Sequence, residues 1–202
     1  MIIGITGGTG CGKTTALEAA RALGGLVLDC DAIYHRLLAE DKKLLDAIEA
    51  RFPGVVEDGC LQRKKLGEIV FSDKAALLDL NKITHAAVKQ EVLRQLQGHT
   101  GLAVIDAIGL FEGELNSLCD LTVAVTAPEE IRVQRLVRRE GISEEYARAR
   151  IAAQRSNAEF SQLCDYTLEN DTTRDDFQRK CLAFFEPYSI IKETNFTEDE
   201  VK

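Results

Sequence analysis

The chain has 202 residues, 45 % of them hydrophobic, and a formal charge of −8 from 25 basic and 33 acidic side chains. That length supports one sizeable core with room for a small inserted lobe, and the apolar share excludes a disordered chain. The negative balance argues against a general nucleic-acid binder, which carries a basic surface, but not against an anionic small substrate held by a local arginine cluster. No apolar run reaches the length of a membrane span, and the first residues enter an apolar strand with no basic leader. No membrane partner is therefore expected, and the expected location is cytoplasmic.

Residues 2–6 (IIGIT) read as a buried strand. Gly7-Gly8-Thr9-Gly10-Cys11-Gly12-Lys13-Thr14 follows, a G-x-x-x-x-G-K-T phosphate-binding loop, and residues 15–23 then read as a helix stopped by Gly24 and Gly25. Strand, glycine-rich turn and helix form the setting this motif requires. Glycines let the backbone approach phosphates, and the helix N-terminus adds the positive end of its dipole. A nucleoside triphosphate is expected on Gly8, Gly10, Cys11, Gly12, Lys13, Thr14 and Thr15, with Lys13 on the β- and γ-phosphates and the Thr14 hydroxyl on Mg²⁺. Cys11 lies where a helix N-terminus lowers a thiol pKa, although a small residue that simply fits is the plainer reading. The six cysteines show no metal-ligand spacing, and small buried thiols are favoured over disulfides or zinc.

A second strand is predicted at 26–30, then one helix from about 32 to 51, a Pro53-Gly54 break and a turn at 57–59. Residues 64–97 read as helix, interrupted near Ser72-Asp73. Strands follow at 102–106 and 121–127, helices at about 129–139 and 144–154, a fifth strand at 166–170 and a last helix at 175–185, before a polar tail. Strands alternating with helices predict a parallel sheet covered on both faces, with ligands at the carboxyl ends of the strands. Asp29 and Asp31 end the second strand, two residues apart and so on one face if the chain there is extended. Asp31 equally suits a helix N-cap. Asp106 ends an apolar strand, as does the metal-side carboxylate of phosphate-loop proteins. On the 129–139 helix, Arg132, Arg135 and Arg139 share one face. Arg135 and Arg139 are read as lid arginines over the triphosphate, and most of the other arginines as a solvated face. His85 and Arg63 alone read as an ordinary helical histidine and an exposed basic turn.

Together these residues resemble the dephospho-coenzyme A kinases over nearly the whole chain. The opening loop, Leu28-Asp29-x-Asp31, the 61–71 segment with Arg63, Leu80-Asn81-x-Ile83-x-His85, Leu110-Phe111-Glu112, Gln134-Arg135-Leu136 with Arg139, Gln154, and Asp165-Tyr166-x-Leu168-x-Asn170 carry the similarity. The departures are Ala86, Ile108 and Gly109 where that family has proline, proline and leucine, a missing basic residue near Phe160, and Glu40-Asp41-Lys42-Lys43 in place of a proline-glycine segment. The resemblance implies a phosphate-loop NTPase of three α/β/α layers on a five-stranded parallel sheet. Its core is 1–50 and 99–188, with a lid at about 129–160, a helical acceptor lobe at 51–98 and a polar tail at 189–202. It implies ATP and Mg²⁺ as cofactors and dephospho-coenzyme A as partner, in a monomer or small homo-oligomer. Asp31, Lys13 and Arg139 would be catalytic, Arg135 and Asn170 would bind nucleotide with the loop, and Asp29, Arg63, His85 and Asp106 would bind acceptor. The alternatives are another small-molecule kinase of this fold, a noncatalytic ATP-binding protein, or a GTP switch. The switch is disfavoured because Asn81-Lys82-Ile83-Thr84, the one candidate for a guanine-reading motif, precedes Asp106-Ala107-Ile108-Gly109 and ends in Thr.

Overall fold

The computed structural model describes residues 1–189. The chain runs β1 (Ile2–Thr6), α1 (Lys13–Ala22), β2 (Leu26–Asp29), α2 (Cys30–Glu40) and α3 (Lys42–Arg51). A small hairpin of β3 (Val56–Glu57) and β4 (Cys60–Leu61) leads to α4 (Arg63–Ser72), α5 (Lys74–Leu96) and β5 (Ala103–Asp106). After a 3₁₀ turn at Leu115–Leu118 come β6 (Leu121–Thr126), α6 (Glu129–Glu140), α7 (Glu144–Ala152), α8 (Asn157–Leu163), β7 (Tyr166–Glu169) and α9 (Arg174–Ser189). The sheet is five-stranded and parallel in the order β2-β5-β1-β6-β7.

Both faces of the sheet are buried, so its strands are continuous apolar runs rather than alternating ones. One face packs Ile3, Ile5, Val104, Val123 and Leu168 against α1 and α9, with Leu17, Phe177 and Phe185 filling the layer. The other face packs Leu28 and Ile105 against α2 to α5 through Ile33, Ile48, Leu66 and Val88. Helices α2 to α5 thus share one core with the sheet edge. Helices α6 and α7 carry a small cluster of their own, built on Val133, Leu136, Ala147 and Ile151. The register sets Ile5 beside Asp106 and Asp106 beside Asp29, so these strand ends are level.

The single helix expected at 32–51 is two helices. Asp41 stands between them in extended geometry (φ −89°, ψ 99°), and its side chain accepts from the amides of Lys43 (2.8 Å) and Leu44 (3.3 Å). A cap residue competes with helix continuation wherever its carboxylate satisfies the next orphan amides. Asp73 repeats this between α4 and α5, where the interruption was expected, by accepting from Ala75 N–H. Helix α8 was not anticipated, although Ser156 and Glu159 form the reciprocal capping box that the Ser-x-x-Glu spacing encodes. The predicted turn at 57–59 is the tip of the β3–β4 hairpin, with Asp58 and Gly59 at positive φ. Helix α9 continues to Ser189, beyond the expected end at 185, and most of the polar tail lies outside the described residues.

Replacing Asp41 by Ala removes the cap of α3 and is expected to lower stability by about 1 kcal/mol, read as a shift in the urea midpoint without a change in slope.

Candidate active site

The loop between β1 and α1 curls back on glycines. Gly12 sits at φ 104°, and a Cβ there would come within 2.1 Å of Asn170 Nδ2. At Gly8 a Cβ would meet the Arg132 guanidinium at 2.3 Å. Backbone shape therefore requires glycine at Gly12, whereas a side chain at Gly8 would displace the Arg132 guanidinium. The loop is tied down by its carbonyls. Asn170 Nδ2 donates to Cys11 O at 2.8 Å, and Arg135 Nη1 donates to Gly10 O (3.2 Å) and Cys11 O (3.3 Å). Arg135 Nη2 donates to Asn170 Oδ1 at 2.9 Å, which closes the set. Further out, Arg132 Nε donates to Thr9 O at 2.8 Å, and Gln154 Oε1 accepts from Thr9 N–H at 2.8 Å. Lys13 Nζ donates to Gly7 O at 2.9 Å. Helix α1 begins with no side-chain cap and no acid in its first turn, so the positive end of its dipole is not neutralised locally.

A cleft of about 240 Å³ opens over this loop. It is lined by Gly8, Gly10, Gly12, Lys13, Thr14, Asp29, Asp31, Asp106 and Arg139. A second pocket of about 280 Å³ lies beside it, lined by Cys30, Asp31, Tyr34, Asn81, Thr84, His85, Val88 and Leu115 among others. Asp31, Ala107 and Ile108 line both cavities. Asp31 is therefore on the wall between loop and pocket. It gets there in a way the sequence reading did not anticipate. The chain is no longer extended at Asp31, which sits in the first turn of α2; Asp29 is the N-cap and accepts from Ala32 N–H at 2.9 Å. The two carboxylates still reach one cleft because helix α2 starts at the strand end.

Asp106 lies at the cleft floor, and its Oδ1 is buried with no hydrogen-bond partner. Burial pushes its pKa up to about 6; Lys13 pulls it down, and Asp29 and Asp31 push it further up. Cys11 follows the plainer reading of a small residue that fits. It is 1 % exposed, and burial raises the thiol pKa despite Lys13 nearby, so it is not an activated thiolate. Nor are all the thiols buried: Cys60 is exposed on the hairpin. Arg139 lines the cleft and pairs with Glu140 at 2.5 Å. Thr15 lies outside the cleft lining, and its N–H donates to Gly12 O. His85 lines the second pocket, whereas exposed Arg63 lines neither cavity and instead stands near Tyr34, whose phenol is raised by burial and held back by the arginine charge.

The sequence reading missed Tyr34 and Thr84 as pocket residues, and it left Arg132 among surface arginines. Tyr34 is one turn beyond Asp31, which is the signal that places both on one side of α2. Arg132 is 3 % exposed; its three-residue spacing from Arg135 put it on the loop-facing side of α6, and only packing shows that side buried. Among the described residues no group of three His, Cys, Asp or Glu side chains is placed to hold a metal ion, and no helix is long and apolar enough to cross a membrane.

A phosphate loop at the end of a central strand of a parallel sheet, helices on both faces of that sheet and carboxylates lining the cleft over the loop define a phosphate-loop kinase. A crystal structure of shikimate kinase from Bacteroides thetaiotaomicron shares this fold at TM-score 0.57 and 20 % identity, covering 94 % of this chain and 99 % of that one. The model of the dephospho-CoA kinase family matches residues 1–176, and the chain belongs to that family. It is 34 % identical over 198 residues to the dephospho-CoA kinase of Geobacillus kaustophilus, covering 95 % of this chain and 98 % of that protein. It is 41 % identical over 157 residues to that of Paramagnetospirillum magneticum, covering 76 % and 74 % of the two chains. The dephospho-CoA kinase structure from Campylobacter jejuni superposes at TM-score 0.66 with 27 % identity, covering 93 % of this chain and 96 % of that one.

Because the folded pKa of Asp106 is raised above the unfolded value, the native state holds a proton that the unfolded chain releases. The contribution of Asp106 to stability therefore falls as pH rises from about 4 to about 6 and stays lower above that. Asp106→Asn is expected to stabilise the protein by on the order of 1–3 kcal/mol at pH 8 and by little at pH 4, measured by denaturant unfolding at both values. Alkylation of the native protein, followed by peptide mapping, is expected to label Cys60 and leave Cys11 and Cys181 untouched until denaturant is added.

Proposed function

We propose that this chain transfers the γ-phosphoryl group of ATP to the ribose 3′-hydroxyl of dephospho-coenzyme A, giving coenzyme A and ADP. The observation that carries this reading is the place of Asp31, on the wall shared by the loop cleft and the second pocket. Loop amides and Lys13 hold the β- and γ-phosphates. Asp31 orients the acceptor hydroxyl and takes its proton as the new P–O bond forms. Arg139 reaches the same cleft from the lid and stabilises charge spreading over the transferring group. Asn170 and Arg135 act on the nucleotide through the loop, since their side chains bind loop carbonyls and each other.

The cleft offers hard oxygen donors, the Thr14 hydroxyl with carboxylates of Asp29 and Asp106, and Asp106 Oδ1 is unpartnered; this set suits Mg²⁺. Thr14 would hold the ion, with the nucleotide supplying most other ligands. When bound it would neutralise phosphate charge. The second pocket, with Tyr34, Asn81, Thr84 and His85, takes the acceptor nucleoside. Its volume suits a purine and ribose rather than the whole acceptor, so the pantetheine arm runs outside it along the 51–98 segment, past Arg63. In this reading residues 1–50 and 99–188 form the kinase core and 129–160 its lid.

Incubation with ATP, Mg²⁺ and dephospho-coenzyme A is expected to yield coenzyme A by mass analysis, and a panel of other phosphoryl acceptors to yield far less product. Asp31→Asn is expected to lower turnover by about 10²–10⁴-fold while ATP still raises the melting temperature. Near-normal turnover of that variant contradicts the proton-acceptor role.

A further inference from the structure

Arg132 is a charged side chain sealed inside the protein. It is 3 % exposed, and among the described residues no carboxylate lies within ion-pair distance of it. Glu129, the acid whose charge reaches it, is engaged with Arg148 at 2.9 Å. The guanidinium instead donates from Nε to Thr9 O (2.8 Å) and from Nη2 to Gln154 Oε1 (3.4 Å). Gln154 Oε1 also accepts from Thr9 N–H (2.8 Å), so the lid grips Thr9 by both its amide and its carbonyl. A buried guanidinium balanced only by carbonyl dipoles is costly, and an apolar residue of similar volume often does better. Fold stability alone therefore does not account for a cation here.

The peptide plane supplies the reason. In a trans peptide the carbonyl of one residue and the amide of the next point in opposite directions. Holding Thr9 O against Arg132 fixes the Gly10 N–H on the opposite side of that peptide, and Gly10 lines the cleft. Among the described residues that N–H donates to no protein acceptor. We infer that Arg132 is a positioning residue for the phosphate donor: it aims the Gly10 amide into the cleft, and its charge is balanced through that peptide when a nucleoside triphosphate is bound. Arg132 does not line the cleft and makes no contact there of its own. The lid is thereby latched to the outer turn of the loop, not hinged freely above it.

This inference rests on the loop cleft being the ATP site, and the test separates the two. Wild-type protein that forms no product from ATP overturns that reading; an active wild type leaves only Arg132 at issue. Arg132→Met keeps the volume and removes the charge. It is expected to raise the KM for ATP about tenfold, leave the KM for dephospho-coenzyme A within about twofold, and leave kcat at saturating ATP little changed. The melting temperature without nucleotide is expected to hold or rise, while the stabilisation by added ATP shrinks. Arg132→Lys, which keeps the charge, is expected to recover part of the ATP affinity. Should Arg132→Met fail to fold, Arg132→Gln carries the same comparison. An unchanged KM for ATP in these variants, with or without a lower melting temperature, overturns the inference and leaves Arg132 a structural strut.

Discussion

The loop between β1 and α1 is held by its carbonyl side. Thr9, Gly10 and Cys11 each direct a carbonyl outward, to Arg132, Arg135 and Asn170, which come from α6 and the end of β7. A trans peptide has one donor and one acceptor on opposite sides, so fixing the acceptors fixes the donors. Preorganisation of this kind supplies electrostatic stabilisation without reorienting dipoles during reaction. The rest of the structure serves it: β7 ends where Asn170 can reach Cys11 O, and α6 crosses the loop with two guanidinium groups against its back.

The sheet then sets the distance between donor and acceptor. Strands β2, β5 and β1 end level, so the carboxylates of Asp29 and Asp106 stand beside the loop. Asp29 stops the strand by capping α2, and the helix carries Asp31 across to the edge of the neighbouring pocket. The same cap that ends a strand thus places the candidate base between the two cavities. Burial, with the like charges of Asp29 and Asp31 beside it and Lys13 opposing them, holds the pKa of Asp106 above the usual carboxylate range.

Much of this was legible residue by residue. The five strands, the loop, the break at Asp73 and the approximate extent of α6 follow from apolar runs and glycine and cap signals, which act over a few residues. The break at Asp41 was missed because good helix formers flank it on both sides, and the cap is visible only as a bond from its carboxylate to the amides of Lys43 and Leu44. Helix α8 was missed even though its Ser-x-x-Glu box is local. Arg132 was missed for a different reason: the pattern showed which face it shares with Arg135, but not whether that face meets solvent.

By itself the sequence determined the phosphate-loop motif, the parallel architecture and the family, because each rests on short-range spacing or on covalent identity. Only the tertiary structure decided which arginines lie under the loop and which one, Arg139, reaches the cleft, that burial raises the Cys11 thiol, and that Asp31 faces both cavities. Those outcomes depend on what packs against a residue from more than a hundred positions away, as Arg132 does on Thr9, and a one-dimensional pattern carries no record of that burial.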